Sequence, residues 1–315
     1  MNKTLTKILF LFAGLAFLYW TVSLYGINNY INIIRNASLL FLALAVMTPL
    51  IEGFSSGMQL WFIYNSTDVK ISIKDIFWIN QWGRFISNLQ KGVGIAVVID
   101  SIAINNKISH VDSTSRFGLY YSITMIVRAV ATGVGFFYFM MIVPPEYQWI
   151  VGLGILGVAL ASTLLLLIVF GSSLIKFKIS KFCNRLPIVN SVVNNMIQIK
   201  VTQAKSTIFY AFCLATLNWL LASAQWYFIA QAIGYPIDYI FCLAAISLIS
   251  IPKLIPLVPS AFGVYDMVMS IGLSTVNIPP VAGLSFAMLE RITSTLANSF
   301  AVLQPQYLRF FKEKK

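Results

Sequence analysis

Charge is scarce in this sequence. Of 315 residues, Lys and Arg number 22 and Asp and Glu 10, so 10% are charged, against roughly 25% in soluble domains. That is too little to cover a water-facing surface. A soluble enzyme, a disordered chain and a nucleic-acid-binding domain are all poor fits. Metal-ligating residues are scarcer still. Cys183, Cys213 and Cys242 form no CxxC pair, and His110 is the single histidine, so no zinc or haem ligand set is expected. Gly-rich phosphate loops, GxSxG and HExxH are missing. With no nucleophile–base pair in view, neither a cofactor nor an enzymatic activity is expected.

What the sequence has in quantity is apolar length, with 58% of residues hydrophobic. A spanning helix needs about 20 mainly apolar residues. Six segments meet this: 6–25, 37–64, 116–143, 149–175, 206–233 and 279–303. The first is long, aromatic-rich and without a small-residue cleavage site, so an uncleaved helix is expected rather than a signal peptide. Pro49 and Gly53 are natural kink positions in the second. Two further stretches, 75–104 and 238–272, are apolar but interrupted. One carries Arg84, Lys91, Gly92, Gly94 and Asp100; the other carries Pro252, Lys253, Pro256, Pro259 and Gly263. Proline removes a helix donor and clashes with the preceding turn. Irregular backbone at membrane depth persists only where protein or a water-filled cavity surrounds it. Each stretch is therefore expected to be a pair of half-helices that enters the membrane and returns to the same side.

The basic residues test this topology. With the N-terminus cytoplasmic, the cytoplasmic segments hold sixteen: Lys3, Lys7, Lys70, Lys74, Lys107, Arg116, six between Lys176 and Lys205, and four from Arg309 to Lys315. Arg35 alone falls outside. Such asymmetry is what the positive-inside rule requires. Most of the net charge of +12 thus reports topology rather than an acidic partner. Both termini are expected in the cytoplasm and the protein in the plasma membrane. The segment 180–203 is polar and basic, with apolar residues at spacings of three and four. It suits either an amphipathic helix on the inner leaflet or a connector packed on the bundle.

An internal repeat is visible. Ile73-Lys74-Asp75-Ile76-Phe77 matches Ile237-Asp238-Tyr239-Ile240-Phe241. Trp61-Phe62-Ile63-Tyr64 precedes the first, and Trp226-Tyr227-Phe228 precedes the second. Each is followed by a broken stretch with an aspartate, Asp100 or Asp266, and then by a helix with a central arginine, Arg128 or Arg291. Residues 37–143 form the first half, 144–205 the connector and 206–303 the second half. In the expected topology the halves are inverted, a recurrent plan in transporters whose site lies at the repeat interface. The fold class expected is an all-α polytopic membrane protein: six spanning helices plus two re-entrant broken-helix pairs in an inverted repeat, all within one membrane domain, 1–315.

Charges inside the membrane are costly and are usually functional. Arg128 and Arg291 should face the bundle interior and meet an anion. Glu52, Asp100, Asp266 and Glu290 are the available carboxylates. Arg128 is expected either to pair with Asp100 and Arg291 with Asp266, or both to hold the phosphate of a lipid headgroup, for which guanidinium is suited. Glu290 points about 100° away from Arg291 on the helix and is expected near Lys253. Arg84, beside Trp82, either lines a headgroup path or reaches the interface, and Lys91 is expected at the interface. The Gly92–Gly94 turn and the Pro259–Gly263 turn should each open a half-helix whose N–H groups suit an anion. His110 is expected to be solvated.

The run Pro256-Leu-Val-Pro259-Ser-Ala-Phe-Gly263-Val-Tyr-Asp266, with Arg291 following, resembles the lysylphosphatidylglycerol synthase transmembrane-region family, flippase-like membrane proteins with a P-x-x-P-G-G-x-G-x-x-E motif and a later arginine. Pro256, Pro259, Gly263 and Arg291 match. Ser260, Ala261 and Asp266 depart from it. Gly92-Val-Gly94 with Arg128 resembles the motif of the first half without its proline. The resemblance implies translocation of a phospholipid or lipid-linked headgroup, with a glycosyltransferase or lipid-modifying enzyme as a possible partner. With its end at Lys315, the chain is expected to carry no aminoacyl-transferring domain. Alternatives are an ion- or proton-coupled transporter of a small anion, with Asp100 or Asp266 carrying the proton, and a non-transporting membrane partner of such an enzyme.

Overall fold

A computed structural model describes residues 26–65, 70–89, 91–142, 205–249 and 264–304, with a few single positions beside them. Among the described residues there are nine α-helices, one short 3-10 helix and no strand. The helices are α1 Ile27–Arg35, α2 Leu39–Asn65, α3 Ile73–Leu89, α4 Lys91–Asn105, α5 His110–Ile142, α6 Lys205–Ala232, α7 Tyr239–Ile249, α8 Val264–Ser274 and α9 Pro280–Ser299. The expected spans 6–25 and 149–175 and the connector 176–204 lie outside the described residues, apart from a few single positions.

Two described helices combine the length and apolarity needed to cross a bilayer: Leu39–Asn65, with mean hydropathy 1.7, and Ser206–Ala232, with 1.5. They match the expected spans 37–64 and 206–233. The expected spans at 116–143 and 279–303 are also helical, as α5 and α9, but each carries charge in its middle. α5 starts six residues earlier than its apolar run. Ser109 caps it, its Oγ accepting from the Asp112 N–H at 3.0 Å, the usual role of serine at a helix start. α2 runs unbroken through Pro49. Proline leaves the carbonyl four residues back without its N–H partner, and the Thr48 hydroxyl fills the gap by donating to Ala45 O at 3.1 Å.

The interrupted stretch 75–104 is a helical pair, as expected, but one helix ends at Leu89 and the next starts at Lys91, so no turn falls at Gly92–Gly94. Both glycines lie inside α4. Gly94 serves close packing instead of a turn. A Cβ there would collide with the Gly83 carbonyl and the Ser87 side chain, and would lie 2.6 Å from the Ser87 nitrogen. α3 and α4 therefore pack as an antiparallel hairpin with backbones almost in contact. Gly57 does similar work between α2 and α3, where a Cβ would sit 3.5 Å from the Phe77 Cα. Small residues at helix crossings are how membrane helices gain dispersion contacts without a hydrophobic driving force.

The most extensive contact in the described chain joins α2 to α6. These two run antiparallel: Ser38 N–H donates to Ala232 O at 2.9 Å near one end, and Phe62 stacks on Tyr210 at the other, centroids 5.3 Å apart. Other packing comes in matched pairs. α5 packs on α7 and α9 on α3; α9 packs on α2 and α5 on α6; α4 packs on α5 and α8 on α9. The core beneath the second half centres on Trp226, Phe241, Tyr265 and Phe286, all essentially buried.

Substituting Gly94→Ala should lower stability by about 1–3 kcal/mol, the usual result of overpacking. Gly133→Ala on α5, where a Cβ meets open space, should leave the melting temperature unchanged or slightly higher. Thermal unfolding in detergent measures both.

Candidate functional site

The polar faces of α2 and α3 are built to meet. On α3, Asn80, Arg84 and Ser87 recur at helical spacing. On α2, Glu52, Ser56 and Gln59 do the same. Asn80 Nδ2 donates to Gly53 O at 3.0 Å and to Ser56 Oγ at 2.8 Å. One turn along, Arg84 grips Glu52 in a two-pronged pair, Nη1 to Oε1 at 3.1 Å and Nη2 to Oε2 at 2.9 Å. Its Nε donates to Asn298 Oδ1 on α9 at 3.3 Å, and Nη2 also reaches Pro49 O at 3.4 Å. Bidentate guanidinium–carboxylate geometry is the strong form of this bond. Arg84 therefore ties α3 to α2 and, through Asn298, to the second half.

Beside this pair lies a cavity of about 180 Å³. Its walls come from both halves. α5 contributes Tyr120, Tyr121, Thr124 and Arg128, another stripe at helical spacing. α6 contributes Asn218 and Trp219, and α7 contributes Ile246. Glu52 and Arg84 line it too. No carboxylate among the described residues pairs with Arg128. The described lining thus carries two guanidinium groups and one carboxylate, a net single positive charge. Asn218 donates to Gln59 Oε1 at 3.2 Å. The buried Trp219 Nε1 and Asn218 Oδ1 have no hydrogen-bond partner among the described residues. Arg128 thus offers a cation on this wall to an incoming acceptor. Chemically the site suits an anionic group with several acceptor oxygens.

A second charged cluster forms where α8 meets α9. Arg291 Nη2 lies 3.1 Å from both oxygens of Asp266, and its guanidinium stands 5.7 Å from the Tyr265 ring centroid. Tyr265 donates to Glu290 Oε2 at 2.8 Å. Asp266 is 2% exposed and Glu290 8%.

Several expectations are met and several are not. Arg291 pairs with Asp266 as anticipated, and it does not line the cavity. The two arginines therefore do not share one groove. Asp100 does not meet Arg128; it faces His110, with Oδ1 3.0 Å from Nδ1. The helix register explains this. Asp100 sits near the end of α4, level with the start of α5, whereas Arg128 lies 18 residues further along α5, about 27 Å away at 1.5 Å per residue. For the same reason His110, although exposed, is partnered rather than merely solvated. Arg84 is anchored to Glu52 and does not snorkel to an interface. The half-helix N-terminus expected at Gly92–Gly94 is not there, because α4 starts at Lys91. Lys253, Pro259 and Gly263 lie outside the described residues; Glu290 accepts from Tyr265. Glu52 entered the sequence reading only as one of four carboxylates. Asn80, Tyr121, Thr124, Trp219 and Asn298 were missed. The stripe Phe117, Tyr121, Thr124, Arg128 was the available signal.

The sequence pattern of the family described as "Lysylphosphatidylglycerol synthase TM region" matches residues 5–301. A UPF0104 membrane protein of Methanocaldococcus jannaschii is 22% identical over 292 residues, covering 85% of this chain and 84% of that relative. The chain belongs to the lysylphosphatidylglycerol synthase transmembrane-region family and is a helical membrane protein.

Removing one member of a buried ion pair strands the other, at a cost of about 3–5 kcal/mol. Asp266→Asn and Arg291→Gln should each lower stability by an amount of that order. The double variant should lose clearly less than the two added together, as residues in contact do. Unfolding of the four proteins in a double-mutant cycle measures the coupling.

Proposed function

From this membership we propose that the chain translocates a phospholipid or lipid-linked headgroup across the plasma membrane, in the manner of a flippase or scramblase. The headgroup phosphate binds in the cavity at Arg128 while the acyl tails stay in lipid. The observation that carries this is Arg128: a guanidinium central in a 33-residue helix, lining a cavity without a described carboxylate partner. An interior charge of this kind implies an anion.

The transport route runs between two inverted repeats. Three features support the duplication: the repeated sequence order, the antiparallel packing of α2 on α6, and the paired contacts of α5 on α7 with α9 on α3. An inverted pair offers two alternative openings around one site. Sixteen basic residues on one side of the expected topology support cytoplasmic termini. The protein performs no chemistry on its substrate in this reading; a glycosyltransferase or lipid-modifying enzyme acts before or after it. Asp266 holds Arg291 and Glu290 accepts from Tyr265; in this reading both shape the second half rather than bind the headgroup.

Purified protein in liposomes should speed exchange of a fluorescent phospholipid between leaflets, read by quenching from outside. Arg128→Gln should slow it by at least about tenfold, the effect of losing roughly 1.4 kcal/mol of binding, with the protein still monodisperse. Unimpaired exchange in that variant would sink the assignment. Protection by soluble phosphate without any lipid exchange would favour a small-anion transporter. For orientation, a cysteine placed at Lys107 should be labelled by an impermeant reagent only from the cytoplasmic side.

A further inference from the structure

The cavity's three charges are unequally matched. Glu52 commits both oxygens to Arg84, and two further N–H groups of that guanidinium go to Asn298 and to the Pro49 carbonyl. Arg128 lines the same space with no described carboxylate to balance it. We propose that Glu52 is the specificity-determining residue of the site: by cancelling Arg84 it leaves one net positive charge, and so selects a headgroup phosphate with one negative charge, a phosphodiester, over a phosphomonoester. This rests on the lipid-headgroup reading above.

The physical reason is charge count in a medium that screens poorly. A phosphodiester bears one negative charge, which Arg128 balances. A phosphomonoester bears about 1.5 to 2 near pH 7. Its surplus would stay uncompensated beside the Glu52 carboxylate, and burying an unbalanced charge is unfavourable. Size cannot supply this discrimination, because the monoester headgroup is the smaller of the two. Arg84 does not supply the second charge either, since the Glu52 carboxylate cancels it and four of its five N–H donors already face Glu52, Asn298 and Pro49. Replacing Glu52 by glutamine keeps the shape and one acceptor for Arg84 but removes the cancelling charge. The cavity then carries two positive charges and suits the monoester.

The test uses the full chain in phosphatidylcholine vesicles with fluorescent phosphatidylglycerol, a diester, and fluorescent phosphatidic acid, a monoester. Wild type should exchange phosphatidylglycerol faster. Glu52→Gln should raise the ratio of phosphatidic acid to phosphatidylglycerol exchange by about tenfold, the scale of one charge in a specificity site. The Glu52→Gln/Arg84→Gln double variant should return to the wild-type ratio, whatever its absolute rate. An unaltered ratio in Glu52→Gln overturns the proposal alone. Exchange of neither lipid by wild type overturns the headgroup reading and the proposal with it. If Glu52→Gln does not fold, Arg84→Gln decides. There the uncompensated Glu52 opposes Arg128, so phosphatidylglycerol exchange falls about tenfold and recovers in the double variant. Equal loss in both marks Arg84 as a direct phosphate ligand and overturns the proposal.

Discussion

A guanidinium in the hydrocarbon interior costs about 2.5–3.5 kcal/mol on insertion scales unless it is answered, and this chain answers its interior arginines differently. Arg291 is met by Asp266 from the antiparallel neighbour helix. Arg84 is met by Glu52 and extended to Asn298. Arg128 meets no described carboxylate and faces a cavity. The first two arrangements make structure: Asp266–Arg291 ties α8 to α9, and Glu52–Arg84 ties α2 to α3 with a reach to α9 through Asn298. The third, among the described residues, leaves a charge on a cavity wall. Much else follows from that division. The Glu52–Arg84 pair positions α3, which with α4 walls the cavity, and its link to α9 carries the constraint across to the second half.

Close backbone approach is the complementary constraint. Interior polar groups can reach one another only if helices come near, and here small residues provide the nearness. Gly94 lies against Gly83, Gly57 against Phe77, and Gly135 against Ala244. Around Gly53 the buried Gln81 side chain occupies the space that a Cβ would take. Dispersion between closely packed helices then holds together a protein whose exterior is as apolar as its surroundings; Leu39, Leu40 and Phe54 are exposed along α2.

The matched packing of the two halves makes their differences informative. In the first half the hairpin α3–α4 is tight and the interior arginine of α5 is left to the cavity. In the second, the arginine of α9 is consumed by α8. The central arginine thus stands in two settings, balanced by Asp266 in one half and on a cavity wall in the other.

The membrane class, the helical content and the long helices could all be read from the sequence, because they depend on a local property, apolar length. The pairing of Arg291 with Asp266 was also within reach. The two lie on consecutive helices, 25 residues apart, and an antiparallel turn brings together positions at similar distances on either side of it. The partner of Arg128 was not readable in this way. Asp100 is similarly close in sequence, but α4 begins at Lys91 instead of after Gly94, and that start sets Asp100 at the level of His110. The bond of Arg84 to Glu52, 32 residues away, and its reach to Asn298, 214 residues away, depend on how helices cross. Crossing is decided by glycine contacts spread over the whole chain. Sequence thus determined which charges had to be answered, since burial cost is a property of each residue. Only the tertiary structure decided which groups answer them, since that is a property of distance.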